Sequence, residues 1–145
     1  MSRTLIDAIT DKLEQYPAVQ FTRRSDNELE IHPRDEFGFS ILLQLDQREN
    51  TLHFGSFHWH YDHTEEETNE LLDQLFLGLT GLARVKEFAR QGKAYKWVLE
   101  VQDQVGTWHP YGTLGTFSLN FWTKPQVSYL RNDLLPASLV YNSAQ

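Results

Sequence analysis

The stretch from Gly55 to Thr64 limits the fold of this chain more than any other, because its side-chain pattern changes there from strand to helix. Phe57, Trp59 and Tyr61 occur at every second position, so on a strand they share one face. A glycine inside a strand often marks a bend or a bulge, which we expect at Gly55. The pattern predicts a strand with one aromatic, core-facing side that leads directly into a helix.

A capping box predicts where this helix begins. The Thr64 hydroxyl can accept a hydrogen bond from the Glu67 amide, and the Glu67 carboxylate can accept one from the Thr64 amide. Gly81 is well placed to end the helix in a left-handed conformation. Between these ends lies an apolar stripe at helical spacing, formed by Leu71, Leu72, Leu75, Phe76 and Leu79.

Helical spacing also occurs near the start of the chain, where Ser2 or Thr4 can cap a helix and Pro17 can end it. Its apolar stripe consists of Leu5, Ile6, Ile9 and Leu13. Alternation with a period of two predicts four or five strands on each side of the long helix. The clearest segments are 19–22, 29–31, 39–45, 52–54, 82–88, 94–102, 108–114, 117–122 and 127–130.

The short connections between these strands require antiparallel pairing, because parallel strands need a long crossover. We therefore expect a single α+β domain over residues 1–145, with a twisted antiparallel sheet and two amphipathic helices packed on one face. Residues 136–145 follow the last predicted strand and are expected to form a loosely held tail.

Positive side chains gather on one side of the predicted hairpin around residues 90–93. A symmetric pairing of its strands places Lys86 opposite Lys96, with Arg84 nearby, and puts Val85 near Trp97 on the other face. On an acidic protein, such a patch could bind a carboxylate, a phosphate or an acidic partner. The alternative, which the behaviour of ordinary sheet edges favours, is a solvated hairpin whose charges discourage aggregation.

Four of the six histidines lie between positions 53 and 63. On the predicted strand, His58, His60 and Asp62 share the face opposite the aromatic residues, and His63 lies at the corner before the helix. Two imidazoles and a carboxylate could hold Zn²⁺ or another divalent ion, either structurally or in a metal-dependent enzyme. The simpler alternative is a polar, solvent-facing side of a strand.

Composition excludes several classes of protein. The chain contains no cysteine, so disulfides, thiolate catalysis and cysteine-based zinc sites are absent. A net charge of −7 makes nucleic acid a poor first choice of ligand, and no apolar run approaches a membrane span. The first residues lack the pattern of a secretory signal, and we expect a cytoplasmic protein.

No complete catalytic motif is present either, because the chain has neither a Gly-x-Ser-x-Gly elbow nor a phosphate-binding loop. Aromatic side chains are abundant in the second half of the sequence, and we expect most of them in the core. Two or three could instead line a small-ligand pocket. This set consists of Trp97, Trp108, Tyr111, Phe117, Phe121 and Trp122.

Several short motifs resemble those of a family of small uncharacterised bacterial proteins. They are Trp59-His60-Tyr61-Asp62, Glu65-Glu66, Arg84-Val85 and Gly92-Lys93-Ala94-Tyr95-Lys96-Trp97, within a similarity that covers roughly residues 37–131. That family has no assigned activity, so the resemblance implies a bacterial cytoplasmic origin and carries over no catalytic residue. The helix-plus-sheet layout and the acidity are also similar to those of immunity proteins and secretion chaperones, although fold alone does not fix function.

The sequence thus favours a small acidic module that binds another protein, for example as an immunity-like or chaperone-like protein. We expect no cofactor, no nucleic acid and no membrane attachment, and a homodimer remains open. The rival hypothesis is a metal-binding protein or metal-dependent enzyme with His58, His60, Asp62 and His63 as ligands.

Overall fold

Two antiparallel sheets and one long helix form most of the chain in the computed structural model, which describes residues 4–115 and 122–141. The first half contains α1 (Leu5–Leu13), β1 (Phe21–Ser25), β2 (Glu28–Ile31), β3 (Ile41–Leu45), β4 (Asn50–Phe54) and β5 (Phe57–Tyr61). The second half contains α2 (Glu65–Thr80), β6 (Ala83–Arg90), β7 (Lys93–Gln102), β8 (Trp108–Gly115), β9 (Gln126–Arg131) and α3 (Ser138–Tyr141).

The α+β class and the antiparallel pairing are confirmed, but the expectation of one sheet is wrong. Strands β1 to β5 form a five-stranded sheet in sequence order, and the other four form a second sheet in the order β8-β7-β6-β9. Turns of two to five residues join most of the neighbouring strands, whereas the 16-residue helix α2 separates β5 from β6. At 1.5 Å per residue, α2 moves the chain about 24 Å before the next strand begins.

Both predicted helix starts are present, with one difference in hydrogen bonding. Thr4 and Asp7 form a reciprocal capping box, and the Thr64 hydroxyl accepts from the Glu67 amide at 3.1 Å. The Glu67 carboxylate, however, accepts from the amide of Asp62 at 3.0 Å instead of that of Thr64. This bond ties the end of β5 to the first turn of α2.

The core forms where the apolar sides of the sheets meet the helices. Strand alternation buries Leu29, Ile31, Ile41, Leu43, Leu52, Phe54, Phe57 and Tyr61 in the first sheet. Helix α2 lies close to Phe54 of β4 because Gly78 has no side chain. A Cβ atom at that position would lie 2.8 and 2.9 Å from two ring carbons of Phe54 and closer still to a third.

The chain reverses at Gly55, where we expected only a bend. Gly55 has a φ of 56°, and the pairing of Phe54 with Phe57 leaves Gly55 and Ser56 as a two-residue turn between β4 and β5. A positive φ at the first of two central residues is typical of a type II′ hairpin turn. The aromatic alternation therefore belongs to a separate strand, β5, which is the last strand of its sheet.

The β6–β7 hairpin turns at the predicted place but pairs in a different register. Val85 lies opposite Leu99, Lys86 opposite Val98, and Lys96 opposite Phe88, so Lys86 and Lys96 are not directly opposed. A tight turn through Gln91 and Gly92, both with positive φ, moves the pairing by one residue, and a bulge after Phe88 moves it by another. Because the combined shift is two residues, each side chain keeps its predicted face.

A segment late in the sequence connects the two halves of the fold. The buried Asn132 side chain bonds to both the amide and the carbonyl of Phe39, at 3.0 Å each. Leu134 and Leu135 donate their amides to the Leu79 carbonyl at 3.0 and 3.1 Å. We call residues 131–135 the seam segment. After it comes α3, inside the expected tail, and Leu139 of that helix packs against the core.

Candidate functional site

The outer face of the four-stranded sheet carries a cluster of cations and aromatic rings. Arg84 is its centre, since its guanidinium carbon lies 3.9 Å from the centroid of the Trp108 ring and 4.2 Å from that of Tyr129. The Arg84 Nε donates to Glu100 at 2.8 Å, and the Arg84 side chain is 21% exposed. These contacts hold the arginine in one orientation between two rings.

Two lysines and a second arginine extend this cluster. The ammonium groups of Lys86 and Lys96 lie 5.2 and 5.0 Å from the centroid of the Phe88 ring. Arg131 lies over Trp108 at 5.2 Å, and its Nε donates to the carbonyl of Gly81. We call this surface the cationic sheet face: Arg84, Lys86, Phe88, Lys96, Trp108, Val127, Tyr129 and Arg131.

The charge of the cationic sheet face is opposite to that of the whole protein. Its four cations are Arg84, Lys86, Lys96 and Arg131, and in the described strands Glu100 is the one carboxylate that register places among them. Four positive charges less one negative charge leave a local excess of three on a protein with a net charge of −7. Val127 and Tyr129 lie on the edge strand β9, opposite Phe88 and Lys86, and are 44% and 42% exposed.

The sequence named three members of this face and missed the others. Arg84, Lys86 and Lys96 are on one face, as the strand period predicted. Tyr129 and Arg131 join them because β9 pairs with β6, which lies far from it in sequence. No local pattern reveals that long-range pairing, so alternation along β9 was the sole available signal.

The histidine cluster divides between the two sides of the first sheet. The rings of His58 and His60 are exposed and lie 5.3 Å apart, and His60 Nδ1 is 3.0 Å from a Glu49 carboxylate oxygen. His53, on the neighbouring strand, has its ring 5.8 Å from that of His58. Burial, followed by the nearby His58 and His60, lowers the pKa of His53 below its ordinary value.

Of the other two proposed metal ligands, His63 is directed elsewhere, and Asp62 follows the end of β5 with its amide bonded to Glu67. His63 Nε2 lies 3.2 Å from the side-chain oxygen of Asn50, which alternation places on the buried side of β4. His63 is therefore on the side of the sheet opposite His58 and His60. Within residues 4–115 and 122–141, no three His, Asp or Glu side chains are grouped to hold a metal ion. The metal hypothesis stays a prediction, to be tested by zinc titration of a His58→Ala/His60→Ala variant.

A groove runs along the free edge of β5. It has a volume of about 690 Å³ and lies between β5, a stripe of α2 and the exposed ring of Tyr111 from β8. Burial, together with nearby Tyr111 and Glu70, raises the pKa of Tyr61 in its wall to about 12. We call this cleft the edge groove.

An unsatisfied polar side chain lies in the wall of the edge groove. Gln74 is 7% exposed, and its Nε2 is buried with no hydrogen-bond partner in the described chain. Buried amide groups nearly always have partners, so this one is unusual. The sequence contained a signal for it, because Gln74 interrupts the apolar stripe of α2 between Leu71 and Leu75.

The expected aromatic core is correct for some of its members and wrong for others. Trp97 packs against the core, and its Nε1 donates to Glu87 at 2.9 Å. Tyr111 and Trp122, however, are 65% and 70% exposed. Phe117, Phe121 and nearly all of the strand predicted at 117–122 lie outside the described residues.

No family model, curated protein or solved structure matches the chain. The resemblance to small bacterial proteins therefore stays a prediction, and function must be inferred from the surfaces themselves. In the described ranges, no helix has both the length and the apolar character needed to cross a membrane.

Proposed function

We propose that this protein is a binding module that docks an acidic segment of a partner protein on its cationic sheet face. The observation that carries the proposal is the position of Arg84 between Trp108 and Tyr129. Arginine, tryptophan and tyrosine are the residues most enriched at energetic centres of protein interfaces. Because these side chains are already ordered, little conformational entropy is lost when a partner binds.

Charge supports an acidic partner. A local positive excess on an acidic protein gives such a segment a favoured docking direction and repels it from the remaining surface. Lys86 lies opposite Tyr129, and Phe88 lies between Lys96 and Val127, which matches the mixture of apolar and charged contacts in protein interfaces. Neutralising a partner, as immunity proteins do, and escorting it, as chaperones do, are both compatible with such a surface.

Single-stranded nucleic acid is the main competing ligand for a sheet with cations and aromatic rings. Such binding requires open ring faces on which bases can stack. Here Phe88, Trp108 and Tyr129 each already have a cation over the ring. The overall negative charge also opposes approach of a phosphate backbone. These two features favour a protein segment.

The experiment is a selection of random dodecapeptides on the immobilised protein. We expect one enriched class to be rich in Asp and Glu, and this class should be lost on a Lys86→Glu/Lys96→Glu variant. Arg34→Glu/Arg48→Glu is the matched control, because it changes the net charge equally at two exposed positions outside the cationic sheet face. The control should retain the acidic class.

Two results would overturn the proposed function. One is equal enrichment of acidic peptides on the Lys86→Glu/Lys96→Glu variant and on the original protein. The other is displacement of the selected peptides by a dodecamer of deoxythymidine that binds more tightly than they do, which would identify the face as a nucleic-acid surface.

A further inference from the structure

We infer that the edge groove binds an extended, positively charged segment of a partner protein, which adds a sixth strand to the first sheet beside β5. This surface is separate from the cationic sheet face and attracts the opposite charge. The inference therefore goes beyond the proposed function and does not depend on it.

The free edge of β5 supplies the main-chain groups for such a strand. Phe54 and Phe57 flank the two-residue turn, so they form a hydrogen-bonded pair, and bonded pairs then alternate along the two strands. The opposed pairs formed by His58 and His60 are therefore the non-bonded ones. Their amides and carbonyls point away from β4, towards the edge groove. No strand in the described chain pairs with that edge.

Gln74 gives an independent reason to expect a ligand with hydrogen-bonding groups. Its side chain lines the groove, and its Nε2 is enclosed there without a hydrogen-bond partner in the described chain, although an unsatisfied buried donor costs about 1–3 kcal/mol. Rotation about the last side-chain torsion can present either the oxygen or the nitrogen. A peptide backbone in the groove offers both an acceptor and a donor, and this rotation would let the Gln74 amide pair with it.

Charge selects a basic segment. The α2 side of the groove carries Glu67, Glu70 and Asp73, which are spaced at three-residue intervals and so follow one stripe of the helix. A second copy of the chain could also add its β5 to this edge. That arrangement would bring two such acidic stripes together, and like charges at an interface are unfavourable. Lysine and arginine side chains on an added strand would instead meet these carboxylates.

The length of the segment follows from β5. The strand has five residues, which span about 17 Å at 3.3 Å per residue. A heptapeptide is long enough to cover it. The test therefore uses a fluorescein-labelled heptapeptide of alternating valine and lysine, and fluorescence anisotropy measures its affinity. A valine–glutamate heptapeptide serves as the charge control and should bind at least tenfold more weakly.

N-methylation of the peptide backbone tests strand addition directly. In an added strand, every second amide faces β5 and the others face solvent. Methylating three valine amides and methylating three lysine amides should therefore have different effects. We expect one of these two peptides to lose at least tenfold in affinity and the other to bind as the unmodified peptide does. Equal binding of the two methylated peptides would overturn strand addition.

Variants of the protein test the same contacts from the other side. His60→Pro removes an outward-facing amide, whereas His60→Ala keeps it, so only the proline variant should weaken binding. Glu70→Gln/Asp73→Asn should weaken it, whereas Glu65→Gln/Glu66→Gln, exposed in the first turn outside the groove, should not. If His60→Pro fails to fold, the methylated peptides decide the question alone.

Two further measurements separate this inference from its alternatives. Lys86→Glu/Lys96→Glu should leave the affinity for the valine–lysine peptide unchanged, so failure of the proposed function and failure of this one can be told apart. In sedimentation velocity of the protein alone, we expect no dimer that forms through the edge of β5, that is, none that the His60→Pro substitution dissociates. A dimer of that kind, which the peptide does not disrupt, would assign the edge to a second copy and overturn the inference.

Discussion

Replacing Gln74 by methionine should make the protein more stable, although it removes a native side chain from a helix. Gln74 is 7% exposed, and its Nε2 has no hydrogen-bond partner in the described chain. Methionine has nearly the same length and helix propensity, but it carries no donor that needs a partner. The substitution therefore removes the cost of an unsatisfied group and leaves the packing of α2 nearly unchanged.

The expected gain is estimated from that cost. An unsatisfied buried donor costs about 1–3 kcal/mol, and some of this returns as imperfect packing of the new side chain. We expect the free energy of unfolding to rise by about 1–2 kcal/mol. For a domain of this size, 1 kcal/mol corresponds to about 4 °C in the melting temperature, so Tm should rise by about 4–8 °C.

Urea denaturation followed by circular dichroism measures this change, and Gln44→Met provides the matched control. Gln44 is a partnered glutamine, because its Nε2 donates to Glu28 at 3.0 Å and its Oε1 pairs with His53 Nε2 at 2.9 Å. The same substitution there breaks two hydrogen bonds and should lower the free energy of unfolding by about 1–2 kcal/mol. The two variants should thus change in opposite directions.

A loss of stability in Gln74→Met similar to that in Gln44→Met would refute this reasoning. It would mean that the Gln74 amide already has a hydrogen-bond partner in solution, for example ordered water, and that it does not need a ligand to provide one. If instead stability rises while affinity for the valine–lysine peptide falls, the amide is retained for binding at a cost in stability.

Three other substitutions test the fold. Gly78→Ala should cost about 1–2 kcal/mol, because the clash with Phe54 outweighs the gain in helix propensity, and adding Phe54→Leu should relieve part of the loss in a double-mutant cycle. His53→Gln should reduce the fall in stability between about pH 7 and pH 5: the folded pKa of His53 is lowered from 6.5, so protons bind the unfolded chain preferentially there and destabilise the native protein. Urea midpoints at both pH values measure this difference, and an equal fall in stability in the variant and in the original protein would contradict it. Asn132→Ala should lower stability by about 2–4 kcal/mol in the same assay, because it leaves two buried groups of Phe39 unpaired.

Local patterns predicted the elements of this fold well because the relevant interactions are local. The caps at Thr4 and Thr64 and the left-handed end at Gly81 involve residues within one helical turn. Alternation correctly placed Phe57 and Tyr61 in the core and His58 and His60 outside it.

What the sequence did not reveal depends on contacts between distant residues. The division into two sheets follows from the pairing of β6 with β9, which no turn connects directly. The direction of His63 depends on Asn50 across the hairpin, and the register of the β6–β7 hairpin depends on a bulge. Three cations of the cationic sheet face were predicted from the sequence. The edge groove was not, because its prediction requires knowing that β5 is the last strand of its sheet.

The seam segment has a consequence for how the chain is made. Asn132 bonds to Phe39, which is synthesised 93 residues earlier. During translation, the amide and carbonyl of Phe39 cannot reach their native partner until Asn132 has left the ribosome. At a typical rate of 5–20 residues per second, that interval is about 5–20 s. For this time the amide and carbonyl of Phe39, next to the start of β3, lack the partner that they have in the finished protein, and they are open to a chaperone that acts on the nascent chain.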